Sequence, residues 1–196
     1  MADPMLPAGL DLRFEVIDLI HRIGAHRTEE RIVRADEQVG SPVMGVAAGD
    51  PIDVRAQLES VEEGIFITGS ADATLTGECS RCLDPITEDV SAPIGEMFTY
   101  PDKLEKGIDP EEDDIPLLTG DTIDLGQQVH DALAVAAPFT PLCREDCLGL
   151  CDQCGFRMED DPDHEHVIID PRLSSLAALL QDSDGAAGDA KGDSAQ

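Results

Sequence analysis

The chain has 196 residues, of which 41% are hydrophobic but only 3% aromatic and none tryptophan, so it can build one domain of ordinary size around a modest core of Val, Ile, Leu and Ala. Thirteen Lys and Arg stand against 42 Asp and Glu, a formal net charge of -29. That balance works against any general affinity for phosphate backbones and leaves solubility, a salt-adapted proteome or basic protein partners as reasons for the acidity.

No basic segment followed by an apolar one opens the sequence, and an apolar run such as residues 133–137 falls far short of the roughly 20 residues that a membrane span needs. A cytoplasmic protein with reduced thiols and no membrane contact is expected. Arg13, Arg22, Arg27, Arg31 and Arg34 concentrate half of the arginines in the first 34 residues. Either this is the one segment open to an anionic contact or it is a solvated charged face. Residues 13–17 read as a short strand, and residues 18–30 show no clear period.

From Pro51 onward, Ile52, Val54, Ala56 and Leu58 alternate with Asp53, Arg55, Gln57 and Glu59, the period of a strand with one buried face. Glu62, Glu63 and Gly64 predict a turn. After it Ile65, Ile67, Ala71, Ala73 and Leu75 hold one parity, so the two strands should form an antiparallel hairpin. A further strand is expected between Ile86 and Tyr100, placed at an edge or bulged because of Pro93 and Gly95. The acidic stretch 101–114 predicts a mobile loop. Thr122 or Asp124 can cap a helix carrying Leu125, Val129, Leu133 and Ala136 on one face, ended by Pro138 and Pro141. Asp170 and Pro171 signal a second helix with Leu173, Leu176, Ala177 and Leu180, and residues 181–196 predict a disordered acidic tail. The expected fold class is α+β, an antiparallel sheet core with C-terminal helices and a zinc-stapled cysteine-rich segment, in one domain over residues 10–180.

All six cysteines lie in two places: Cys79 and Cys82 follow the hairpin, and Cys143, Cys147, Cys151 and Cys154 follow the helix. In a reducing compartment such pairs point to metal before disulfide, because a tight turn lets two thiolates face one tetrahedral ion. Gly155 after Cys154 can take the positive φ such a turn uses; the first pair has Leu83 there instead. The four clustered cysteines could make one site alone. The preferred partition adds His164 and His166 to give two complete sets, Cys79 and Cys82 with Cys143 and Cys147, and Cys151 and Cys154 with His164 and His166. The first would be a long-range staple contributing metal-binding free energy to folding. No nucleophile elbow, phosphate loop or dinucleotide fingerprint occurs, and His130 beside Asp131 reads as a solvated helix face.

The stretch Leu75-Thr76-Gly77-Glu78-Cys79-Ser80-Arg81-Cys82-Leu83-Asp84-Pro85, then residues 138–155, then Asp170-Pro171-Arg172-Leu173 resemble the YceD family of large ribosomal RNA accumulation proteins, over roughly residues 10–180. In many members a Cys-x-Cys pair stands where this sequence has His164-Glu165-His166, which favours the two-set partition. The resemblance implies a role in ribosome biogenesis and supplies no catalytic residue. From it and from the charge we expect a non-enzymatic factor that meets large-subunit ribosomal proteins or a pre-ribosomal particle, with weak or indirect ribosomal RNA contact. Arg81 and Arg144, beside the thiolates, are either contacts for RNA or an acidic partner or charge compensation for a four-thiolate centre. Two other classes remain: a thiol-disulfide oxidoreductase using a C-x-x-C pair, and a zinc module binding nucleic acid directly with Phe156 as a stacking residue.

Overall fold

Two long strands organise the chain. β5 (Pro51–Ser60) and β6 (Gly64–Glu78) pair antiparallel from Ile52 opposite Ala73 to Ser60 opposite Ile65. Ile52, Val54, Ala56 and Leu58 from one strand and Ile65, Ile67, Ala71 and Leu75 from the other are buried together, as the alternation predicts. β7 (Pro85–Thr99) runs antiparallel along the whole of β6 in an unbroken register, Gly64 opposite Thr99 and Glu78 opposite Pro85. Of the two expectations for this strand, edge or bulge, the edge position holds: among the described residues β6 is the one strand paired with β7.

In this computed structural model, residues 10–34, 36–110, 112–161 and 163–166 are described. The chain divides into two compact units, Met1–Gly149 and Leu150–Gln196. In the first, β1 (Arg13–Glu15) pairs antiparallel with β8 (Thr122–Asp124), placing Phe14 opposite Ile123. The six-stranded sheet adds β2 (His26–Arg34) beside β5, and β4 (Met44–Val46) with β3 (Val39–Gly40) beside the end of β6. The helix α1 (Gly126–Ala136) packs on β7 and β3, sealing Leu125, Val129 and Leu133 into the core. Residues 101–103 form one short 3-10 turn.

The fold departs from the sequence expectation in three places. Among the described residues α1 is the one α-helix, and it precedes the cysteine-rich segment, so the architecture is mostly antiparallel sheet and not a sheet with C-terminal helices. The helix expected from Asp170 and the tail lie outside the described residues. Thr122 is a β8 residue and no cap; Asp124 does serve the helix start, its Oδ1 accepting from Gly126 N–H at 2.9 Å. β2 was invisible to hydrophobic periodicity because Arg27, Glu29 and Arg31 occupy the positions opposite Leu58, Ala56 and Val54. Their aliphatic stems and ion pairs stand in for apolar side chains at the sheet margin. Arg27 meets Asp18 at 2.8 Å and Glu29 at 2.9 Å, and the Arg31 guanidinium lies 5.5 Å from the Phe14 ring centre.

Glycines on the sheet differ sharply in what they permit. A Cβ on Gly69 would lie against the Arg55 carbonyl oxygen, whereas one on Gly95 would meet nothing within 4 Å. Gly69→Ala is therefore expected to cost at least ~2 kcal/mol through forced backbone movement. Gly95→Ala should stay within about 0.5 kcal/mol of the parent. Urea unfolding of the two variants checks the contrast; equal midpoints would refute it.

Candidate metal centres

The β6–β7 turn carries the first pair of thiols. Cys79 N–H donates to Asp84 O at 2.8 Å and Leu83 N–H donates to Cys79 O at 2.9 Å, closing a tight loop that points both sulfurs inward. Leu83, at the position where a glycine was missed in the sequence, adopts φ 61. A leucine thus accepts a left-handed conformation that L-residues ordinarily avoid at a cost of roughly 1–2 kcal/mol, which implies that the turn is held from outside. Part of that hold is visible. Ser80 N–H donates to Pro141 O at 2.8 Å, and Arg81 Nη1 donates to Cys147 O at 2.8 Å and Glu145 O at 3.3 Å.

Those bonds bring the turn against the segment after α1. Cys79 Sγ lies 3.9 Å from Cys147 Sγ, and Cys82 Sγ lies 3.6 Å from Cys143 Sγ. All four sulfurs are within 4.8 Å of one another. Four thiolates bound to one zinc at about 2.3 Å would stand about 3.8 Å apart, so the donor set and its spacing suit a soft tetrahedral ion. Cys79, Cys82 and Cys147 are buried and Cys143 is exposed.

Protons are unevenly shared in this group. N–H groups of Cys143 and Cys82 face the Cys79 sulfur and, against the effect of burial, lower its pKa to about 6. At Cys82 the Asp84 N–H pulls the same way, but burial and the three neighbouring thiols outweigh it and push the value up to about 12. Burial, then Cys147, raises Cys143. A cluster that ionises one thiol and suppresses the next is one whose negative charges need a cation before they can all form.

The second unit has its own group. Gly155 N–H donates to Cys151 O at 2.9 Å and Cys151 N–H to Phe156 O at 2.7 Å, with Gly155 at φ 71. Cys154 Sγ is 3.3 Å from His164 Nε2 and 3.2 Å from His166 Nε2, and the two ring nitrogens are 3.0 Å apart. Cys151 completes a set within 4.8 Å. N–H groups of Gln153 and Cys154 lower the Cys151 pKa. The Phe156 ring stacks on His164 at 4.6 Å, so it holds an imidazole in place and is engaged where the sequence left it free for a base.

The structure thus brings together Cys79, Cys82, Cys143 and Cys147, and separately Cys151, Cys154, His164 and His166; each set can hold a metal ion. Sequence reasoning missed Gly149, whose φ of 80 and close approach to the Arg81 backbone, 2.9 Å from a Cβ to the carbonyl oxygen, exclude a larger residue there. Arg81 is a strut between two loops, a role its position inside C-x-x-C could not reveal. Arg144 forms an exposed ion pair with Asp146 at 3.2 Å.

An antiparallel sheet whose β6–β7 turn meets a four-cysteine group, and a second unit with a group of two cysteines and two histidines, define a β-rich protein with two donor sets that could each hold a metal ion. Comparison with known proteins gives the particular family. Residues 67–180, more than half of the chain, match the family described as large ribosomal RNA subunit accumulation protein YceD, and the chain belongs to that family. It is 37% identical over 166 residues to an uncharacterized protein of Mycobacterium tuberculosis and to one of Mycobacterium bovis, covering 85% of this chain and 80% of each relative. An uncharacterized protein of Mycobacterium leprae is 34% identical over 167 residues, 85% of this chain and 76% of the relative. No solved structure matches.

If Arg81 is a strut, removing it should loosen the loops. Arg81→Ala is expected to lower stability by about 1 kcal/mol, and Arg81→Lys to recover only part of it, because the lysine nitrogen ends one atom short of Nη1, the single nitrogen that reaches both carbonyls. Thermal melting of both variants tests this. Full recovery by lysine would mean that charge alone matters.

Proposed function

We propose that this protein is a non-enzymatic factor that supports accumulation or processing of large-subunit ribosomal RNA. It acts in the cytoplasm, through residues 10–180 as its functional domain, by holding basic large-subunit ribosomal proteins or a pre-ribosomal particle, with little or no direct RNA contact. The observation that carries this is the family match, which spans residues 67–180 and includes all eight donor side chains. The net charge of -29 supports basic partners over free RNA, which it repels.

In this reading both donor sets take zinc: a four-cysteine set and a two-cysteine, two-histidine set are its usual structural ligands. Zinc held there would supply charge compensation for the thiolates and a structural link among the four donors of each set. Cys79 and Cys82 tie the β6–β7 turn to Cys143 and Cys147; Cys151, Cys154, His164 and His166 close the second unit on itself.

Protein purified without chelator is expected to carry close to two zinc ions per chain by elemental analysis. Cys82→Ser should lose one and lower the stability of the sheet by several kcal/mol, on the order of 3. Cys154→Ser should also lose one ion while the sheet melts as in the parent. A Cys82→Ser protein that keeps all its metal and melts normally would eliminate the first centre.

In cells, depletion should lower mature large-subunit RNA relative to small-subunit RNA, seen as a deficit of large subunits on sedimentation. Unchanged subunit ratios, with protein that never travels with ribosomal precursors, would sink the assembly reading.

A further inference from the structure

Among the described residues β6 is the one strand paired with β7, so the other side of β7 is a sheet edge, a row of backbone donors and acceptors that natural proteins blunt or cover. Three hydrogen bonds tell which groups face outward. Thr99 N–H donates to Pro116 O and Thr99 O accepts from Leu118 N–H, both at 2.9 Å. Met97 N–H donates to Glu96 Oε1 at 2.9 Å and not to β6. Alternate residues of an antiparallel strand turn their backbone groups to the same side, so the odd-numbered residues of β7 present theirs to the open edge. Residues 116–118 already use the first of them, running parallel to β7 at the Thr99–Leu117 bridge. Among the described residues no backbone segment continues that line past Met97 toward Pro93.

A groove of about 420 Å³ lies there, between residues 93–96 of β7 and α1. Ala132, Val135 and Ala136 give it an apolar wall, and Val135 is 87% exposed. Glu96, Asp114 and Asp131 give it three carboxylates, and no Lys or Arg lines it. Gln128, another lining residue, has its Oε1 buried with no donor among the described residues.

We propose that this groove is the docking site for an extended segment of a partner protein rich in lysine and arginine, which adds to the β7 edge as a strand and prolongs the line begun by residues 116–118. The backbone of the incoming segment meets Gly95, the Pro93 carbonyl and the Met97 N–H, which exchanges its intraresidue-neighbour bond to Glu96 for a ladder bond. Alternate side chains reach the apolar wall on α1, and the basic ones pair with the three carboxylates and supply a donor near Gln128. An RNA strand finds no cation here and three like charges. This deepens the assembly reading, on which it rests for the partner being ribosomal; the chemistry of the occupant comes from the groove itself.

The test uses the full chain and fluorescence anisotropy with three labelled probes: a short peptide alternating lysine and valine, a helix-prone lysine–alanine peptide of equal length and charge, and a single-stranded RNA oligomer. The alternating peptide is expected to bind roughly tenfold more tightly than the helix-prone one, with the RNA weakest. Val135→Lys, at an exposed position, and Gly95→Pro, which removes an outward N–H where an edge strand tolerates proline, should each weaken that binding by roughly tenfold with circular dichroism and metal content unchanged. Should Gly95→Pro not fold, Val135→Lys decides. Equal binding of the two basic peptides, indifference to Val135→Lys, or tighter binding of RNA would overturn the groove. A deficit of large subunits on depletion, together with no groove binding, would retain the assembly reading and discard this one.

Discussion

Four thiols within 4.8 Å of one another are a poor thing to bury. Neutral sulfurs make weak hydrogen bonds, and ionised ones repel in a low dielectric. Yet the β6–β7 turn and the segment after α1 meet at this point, 68 residues apart in the case of Cys79 and Cys147. Much of the surrounding geometry is arranged for the encounter. The unbroken β6–β7 register ends with Glu78 opposite Pro85, fixing where the turn begins. Leu83 accepts a left-handed backbone there, and Pro141, Cys147 and Glu145 carbonyls receive Ser80 and Arg81. A divalent cation at the centre would turn the repulsion among the sulfurs into attraction and convert a costly junction into the staple of the unit.

Charge is distributed with the same economy. The arginines near the N-terminus, which sequence left open for an anionic contact, are engaged within the fold: Arg27 with Asp18 and Glu29, Arg31 with Glu29 and the Phe14 face, Arg34 with the Gly49 carbonyl. Elsewhere the sheet keeps like charges side by side. Asp53 stands directly opposite Asp72 across β5 and β6, an arrangement that costs stability. With the basic groups turned to internal use and such carboxylate pairs retained, the surface favours cationic partners.

The hairpin and the edge strand were legible because their residues alternate apolar and polar and because Pro93 bars a central position. The start of α1 was legible through Asp124, and counting donors gave the same grouping of cysteines and histidines that the fold brings within 4.8 Å. What was not legible has identifiable physical causes. β2 puts arginine and glutamate opposite Leu58, Ala56 and Val54, where periodicity looks for valine. β1 falls within the short strand expected over residues 13–17, but its partner β8 is only three residues long, too short for any period, and the two find each other only in the folded chain. The left-handed turn at Leu83 contradicts the local preference of leucine, so the constraint that imposes it had to come from residues some sixty positions away. The few aromatics also defied composition: Phe14, Phe98 and Tyr100 sit in the core, and the Tyr100 hydroxyl accepts from His21 N–H at 2.9 Å.

The same geometry bears on the thiol-exchange alternative. A thiolate of pKa near 6, as at Cys79, has the ionisation an attacking nucleophile needs, but attack also needs access along the line of the disulfide being opened. Cys79 is 0% exposed and Cys82 is 4% exposed, so the sulfur that ionises most readily faces inward. Redox C-x-x-C pairs gain their low pKa at a helix N-terminus with the first cysteine at the surface. Here the lowering comes first from the N–H of Cys143, in the segment after α1, and then from that of Cys82, in the β6–β7 turn. The exposed member of the set, Cys143, has its pKa raised, by desolvation of its sulfur and then by Cys147. Ionisation and access are therefore placed on different residues, which suits a site that binds a cation from within far better than one that exchanges electrons with a substrate from without.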